Sequence, residues 1–289
     1  MITLSNGHEF EFMVASGALA FDGKGWPWER PLVWFGLIEP ELFTIVTKTL
    51  TRHERKGNYR WWKPLECFRP IKGGAVNKVG LSNPGIEWWC REIAPKIDFD
   101  DNIVVSIYGT KEELVEMSEM LNDFDLVAIE VNPSCPNTGH GMPTTEEVVD
   151  SVKSVRIISQ HPIIVKVSFA QHYLIIADEL KGIAEAMSFN SVPWEIVFPN
   201  KRSPLWRLEK KVGGGGGGVS GKPAQSYNWQ AVWELAEQRS LPAIAPSVMN
   251  YADVLNVRKL GAKAVSFGAI HFWTPWAPTA IVRAEKEEL

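Results

Sequence analysis

The stretch "NIVVSIYGTKEELVEMSEMLNDFDLVAIEVN", residues 102–132, decides the fold. Two apolar runs, 102–109 and 125–132, flank a segment at 111–124 whose apolar residues recur at three-to-four spacing. Near-continuous apolar strands are buried on both faces, as in a parallel sheet, and parallel pairing needs a crossover such as the helix between them. The unit reads as strand, helix, strand. It ends on Asn132 and runs into "PSCPNTGHG" (133–141), where one cysteine sits among prolines and asparagines.

The same unit recurs on either side. Further apolar runs at 12–16, 42–50, 162–168, 183–191, 241–247 and 262–269 bring the strands to eight. Helical spacing recurs at 145–159, 228–238 and 250–261, and again in the closing residues 278–289. Eight such strands predict an α/β protein, a closed (β/α)8 TIM barrel formed as one domain over residues 1–289. An N-terminal hairpin with Asn6–Gly7 at its turn precedes the first barrel strand. Two long segments, 51–101 and 192–227, follow the second and sixth strands and are expected to lie over the C-terminal face. An open doubly wound sheet is the other arrangement. It lacks its usual signature, because "GGGGGG" at 213–218 follows no clear strand and opens no GxGxxG helix. By composition the glycine run reads as a flexible linker, and by its placement after the sixth strand as a loop that presents N–H groups to an anion.

Composition narrows the class of function. The net charge of −4 over 289 residues, with no basic patch, argues against a nucleic-acid surface. The opening "MITLSNGHEFEF" has no basic start followed by an apolar run, and no stretch reaches the roughly 18 apolar residues of a membrane span. Three scattered cysteines and six histidines form no metal-binding spacing and no disulfide framework. The expectation is a cytoplasmic enzyme with neither membrane span nor metal site. Thirteen tryptophans, many in contexts such as "GWPWERP" (25–31) and "FWTPWAP" (272–278), point to loops pinned by aromatic contacts or to an interface.

The strand ends supply the chemistry. They carry Ser16 and Gly17, then Thr47, Lys48 and Thr49, then Asn132 with Cys135 beyond it. Lys166 and Ser168, Asn190 and Ser191, and Gly268 follow. A lysine inside "IVTKTL" or "IIVKVS" is costly to bury without a negative partner, and two at equivalent ends point to an anionic ligand. Asparagine amides donate and accept, which suits a planar ring bearing N–H and C=O groups. A thiol beside them can act as general base or nucleophile once its ionisation is favoured.

These residues carry a family resemblance. "EVNPSCPNTG" (130–139) resembles the active-site strand and loop of the class 1, cysteine-type dihydroorotate dehydrogenases, and "AVNKVGLSNPG" (75–85) resembles their substrate-contacting loop. "VASG", "VTKT", "IVKVS", "SFNS", "GGVSG" and "FGA" follow the family's landmarks in chain order. The resemblance implies an FMN-dependent oxidoreductase of the CH–CH group that converts dihydroorotate to orotate in pyrimidine biosynthesis. It implies that Cys135 abstracts a proton from C5 while hydride leaves C6 for the flavin, with Lys48 close to both. Asn77, Asn132, Asn137, Asn190 and Ser191 would hold the substrate. Ser16, Gly17, Lys48, Thr49, Lys166, Gly217, Gly218, Ser247, Gly268 and Ala269 would hold FMN. One departure stands out, since Pro246–Ser247 occupies the place where the family has paired glycines at the flavin phosphate. The family's assemblies imply a homodimer, or a complex with an iron–sulfur flavoprotein that takes the electrons. Two other functions fit the same residues: a related dihydropyrimidine oxidoreductase, and a barrel that binds an anionic metabolite without redox work.

Overall fold

The computed structural model describes residues 1–133 and 142–288. Its central sheet has eight parallel strands: β1 (Phe12–Val14), β2 (Thr44–Val46), β3 (Ile103–Ile107), β4 (Ala128–Val131), β5 (Ile163–Val167), β6 (Ala186–Phe189), β7 (Ile244–Ala245) and β8 (Ala264–Phe267). Each pairs with its neighbour in chain order, and β8 returns to pair with β1. A single bridge, Met187 to Ala243, joins β6 to the start of β7 and closes the ring. All eight expected strands are present. The expected run at 241–247 shortens to two residues in β7, because Pro242 and Pro246 on either side lack the N–H a ladder needs.

The pleat sorts side chains into layers. Met13, Val46, Val104, Ala128, Ile164, Ala186, Ile244 and Ala264 point into the barrel and pack against Ile2, Leu4 and Phe10 of the N-terminal hairpin, which plugs that end. Two residues further along β3 to β6 and β8, the same inward face presents Ser106, Glu130, Lys166, Ser188 and Ser266. Two residues beyond these come Asn132, Asn190 and Gly268. The alternate positions, such as Val105, Ile129, Val131 and Val165, face outward into the larger cluster beneath the helices. An apolar floor, a charged layer and an amide layer thus follow from strand periodicity alone.

The crossover helices begin where their capping residues dictate. Thr110 caps Lys111–Leu121 and Thr144 caps Thr145–Ile158, each in a capping box closed by a glutamate at the third helical position. Helix Tyr173–Glu179, too short to give a clear periodicity, was not among the expected ones. Among the described residues no helix is long and apolar enough to cross a membrane.

The two long segments do more than cover the barrel mouth. Val192–Pro193, Gly218–Gly221, Gly74–Asn77 and Phe68–Ile71 pair in that order as a four-stranded antiparallel sheet, so the segments after β2 and β6 are stitched together. A small cluster of Val76, Val192, Trp194, Leu205, Val219 and Ala224 fills the space under this roof.

The glycine run corrects the expectation of an anion-binding loop. Its carbonyls face a cation: the Lys78 ammonium, on a residue only 1% exposed, donates to the carbonyls of Gly213, Gly214 (2.8 Å) and Gly215 (2.5 Å). The Gly216 N–H donates to the Glu195 carboxylate at 2.5 Å. The physical reason is that Gly213, Gly214 and Gly215 all have positive φ, which turns successive carbonyls inward. Burial lowers the Lys78 pKa from its ordinary value, while Glu209 and Glu195 pull it back up.

Candidate active site

A cavity of about 710 Å³ opens at the C-terminal ends of the barrel strands, under the roof sheet. That volume lies within the roughly 300–1,000 Å³ of small-molecule and cofactor sites. Its wall gathers Ser16, Gly17, Lys48, Thr49, Asn77, Asn132, Lys166, Asn190, Ser191, Ser247, Gly268 and Ala269. The sequence names all of these, and they arrive from seven different strand ends and the roof. Two others do not reach the wall. Gly217 packs against the Asn77 carbonyl and Gly218 pairs with Asn77 in the roof ladder, so Ser220 and Gly221 line the cavity in their place. Cys135 and Asn137 lie outside the described residues.

The amide layer is ordered. Asn190 Nδ2 donates to Asn132 Oδ1 at 3.0 Å across the barrel mouth, and both side chains are buried. That bond fixes the direction of each amide at the cavity wall, where amides that donate and accept suit a ring with its own donors and acceptors.

Below it, Lys166 corrects the reading that its burial needs an external anion. Its ammonium donates to Glu130 Oε1 at 3.2 Å, with the carboxylate 1% exposed. Ser106 Oγ donates to the same oxygen at 2.9 Å and Ser188 Oγ to Oε2 at 2.9 Å. Ser106 Oγ also lies 2.9 Å from Thr49 Oγ1, which lies 2.9 Å from Ser16 Oγ. A continuous row of hydrogen bonds therefore crosses the barrel from Lys166 to Ser16. Glu130 was missed in the sequence although the signal was the same as for the lysines: a charge inside the apolar run "LVAIEVN".

The opposite end of the cavity is less satisfied. Ser247 holds φ +66°, the left-handed region for which a glycine is better suited, and its hydroxyl is 3.4 Å from Asn228 Nδ2. The Pro246 and Ser247 carbonyls are tied down by Trp229 Nε1 and Gln225 Nε2. Asn228 Oδ1 and both ring nitrogens of His271 are buried with no partner among the described residues. Neither residue was singled out in the sequence. A lone histidine in "AIHFW" carries no spacing signal.

His271 makes a testable contribution to acid stability. Burial pushes its pKa down from 6.5 to about 4. The unfolded chain therefore takes up a proton near pH 6.5 that the folded chain refuses until about pH 4. Stability is whole above the first value and falls toward the second, by roughly 3 kcal/mol. Denaturant titrations at pH 7 and pH 4.5 should show His271→Phe losing much less stability on acidification than the parent. Equal losses would remove His271 from this account.

The tryptophan segments pin the rim. Trp26 Nε1 donates to the Gly17 carbonyl at 3.0 Å, and its backbone N–H donates to the buried Glu29 carboxylate at 2.9 Å. Trp28 stacks on Trp26 with ring centroids 5.4 Å apart and stays largely exposed at the cavity edge. Among the described residues no cluster of three metal-ligating side chains occurs, and Cys67 and Cys90 are free thiols. Burial raises both, Cys90 to about 11, so neither is a ready nucleophile.

Comparison with known proteins agrees with this geometry. The sequence profile of the family described as "Dihydroorotate dehydrogenase" matches residues 32–289. The chain is 33% identical over 249 residues to the "Dihydroorotate dehydrogenase B (NAD(+)), catalytic subunit" of Caldicellulosiruptor saccharolyticus, covering 82% of this chain and 78% of that one. It is 31% identical over 255 residues to the protein of the same name from Petrotoga mobilis, covering 85% and 81%. The Bacteroides fragilis protein of that name is 30% identical over 244 residues, covering 80% and 76%. These relatives correct the class assigned from the cysteine loop. Each is named as the catalytic subunit of an NAD(+)-type enzyme, which overturns the class 1, cysteine-type assignment.

Proposed function

Because the chain belongs to the dihydroorotate dehydrogenase family, a family of oxidoreductases, we propose that it oxidises dihydroorotate to orotate with FMN as its cofactor. The observation that carries this reading is the ordered Asn132–Asn190 amide pair one layer above Lys166, with Lys48 also lining the cavity. The wall suits the cofactor: its volume is adequate, its cations match an electron-rich ring system, and Asn228 and His271 leave buried polar atoms without partners. When bound, FMN supplies a hydride acceptor.

The chain's own residues do the rest. Asn132, Asn190 and Asn77 match the imide edge of the pyrimidine and hold its ring flat. Lys48 offers a positive charge at the cavity edge, suited to the substrate carboxylate. Lys166 lies on the inward face of β5, where its charge stabilises negative charge that develops on a ring above it. Cys135 is assigned the proton at C5 on sequence grounds. Ser247 and Ala269, with Gly268, form the end suited to a phosphate. The roof sheet and Trp26–Trp28 limit the access of water.

By analogy with the relatives' name, we assign NAD(+) as the final acceptor, reached through a partner subunit of the iron–sulfur flavoprotein kind, with the catalytic chain itself a homodimer. An anaerobic visible spectrum of protein reconstituted with FMN, before and after dihydroorotate, tests the assignment. Bleaching of a bound-flavin spectrum is the expected result. Bound flavin that stays oxidised would move the substrate to another dihydropyrimidine, and failure to take up flavin would leave a barrel that binds an anion without redox work.

A further inference from the structure

The cofactor reading gives Lys166 a role but none to the carboxylate beneath it. We propose that Glu130 is a positioning residue that holds the Lys166 ammonium in place and sets, through it, the reduction potential of the bound flavin. The inference rests on the FMN assignment above.

The geometry is specific. Glu130 is 1% exposed and sits in the charged layer, between the apolar floor and the amides. Three donors converge on its two oxygens: Lys166 Nζ at 3.2 Å, Ser106 Oγ at 2.9 Å and Ser188 Oγ at 2.9 Å. Ser188 is the registered neighbour of Lys166 across β5 and β6, and Ser106 that of Glu130 across β3 and β4. The carboxylate is thus clamped from three strands and has no rotamer freedom to follow Lys166 if that side chain moves. Lys166, by contrast, keeps a side chain 10% exposed on the cavity wall.

The pair presents a partly neutralised charge to whatever lies above. In a low-dielectric barrel the carboxylate offsets much of the ammonium's field at the ligand. Two-electron reduction places negative charge on the flavin, so a stronger positive field favours the reduced form. Removing the Glu130 charge while keeping its shape therefore raises the potential.

The test is the midpoint potential of bound FMN, measured by anaerobic spectroelectrochemistry on the full chain. Glu130→Gln is expected to shift the two-electron equilibrium at least tenfold toward reduction, about 30 mV. Ser188→Ala removes a hydrogen bond to Glu130 but leaves its charge, and is expected to change the potential far less. In a Lys166→Met background the ammonium that Glu130 holds is gone, so adding Glu130→Gln should produce a smaller shift than it does in the parent. A folded, flavin-loaded Glu130→Gln protein with the parent's potential would overturn the inference, as would an equal shift in Ser188→Ala. Should Glu130→Gln not fold, Glu130→Asp takes its place: a smaller positive shift supports the role, and none refutes it. If the parent protein binds no flavin, the FMN assignment itself fails and takes this inference with it. Bound flavin with an unmoved potential defeats only the role of Glu130.

Discussion

Lys166→Met is expected to cost both stability and turnover, and the double variant Lys166→Met/Glu130→Gln to restore only the first. The single change strips the ammonium from a carboxylate that is 1% exposed. Breaking one half of a buried pair costs about 3–5 kcal/mol, because the charge left behind has lost its partner. For a domain of this size that is roughly 6–10 °C in Tm. Neutralising Glu130 as well removes the orphaned charge and should return most of the loss. Turnover behaves differently. A single preorganised electrostatic contact contributes about 10²–10³ in rate, and neither variant has one at this position. Thermal melts and single-turnover flavin reduction, run on both variants, separate the two effects. A Lys166→Met protein with parental turnover would remove the residue from the chemistry, whatever its stability.

The second large effect is expected at Cys135. Serine in its place should leave the fold and flavin binding intact and lower turnover by about 10²–10⁴, the usual scale of a positioned acid–base group. A free thiol ionises near pH 8.5 and can reach its thiolate at neutral pH when donors favour it, whereas a serine hydroxyl cannot. The parent's rate should therefore rise across the thiol's ionisation, and the variant's profile should lack that limb. Unchanged turnover, or a retained limb, would assign the proton transfer elsewhere. The same barrel would then still bind its ligands through Asn132, Asn190 and the lysines.

Much of this architecture is local and therefore readable along the chain. Most βα units announce themselves by a short apolar run and a helical repeat, two of them with a capping threonine, Thr110 and Thr144. The inward face of each strand follows from counting in twos. That arithmetic places Lys166 and Asn132 at the mouth before any coordinates are known.

What escaped depends on pairings between distant segments. Glu130 satisfies Lys166 across two strands, and a reading that weighs each charge alone looks outward for the lysine's partner. The roof sheet joins Gly74–Asn77 to Gly218–Gly221 through strands of at most four residues, too short and too glycine-rich for any periodicity to show. Gly217 and Gly218 were placed at the cofactor because the motif "GGVSG" is contiguous, yet the ladder turns only its last two residues, Ser220 and Gly221, toward the cavity. The subtype, read from one cysteine loop, was likewise corrected only by whole-chain comparison.

The clasp around Lys78 has a consequence for how this molecule can change over generations. Six successive glycines hold no instructions of their own, since nothing in their side chains distinguishes one conformation from another. The instructions for that loop are stored elsewhere, at positions 78 and 195, whose charged ends grip its carbonyls and its Gly216 amide. A lineage that loses the lysine has no reason to retain the glycines, and one that lengthens the loop outgrows its grip. The two features should be inherited or discarded together, as a lock and its key are.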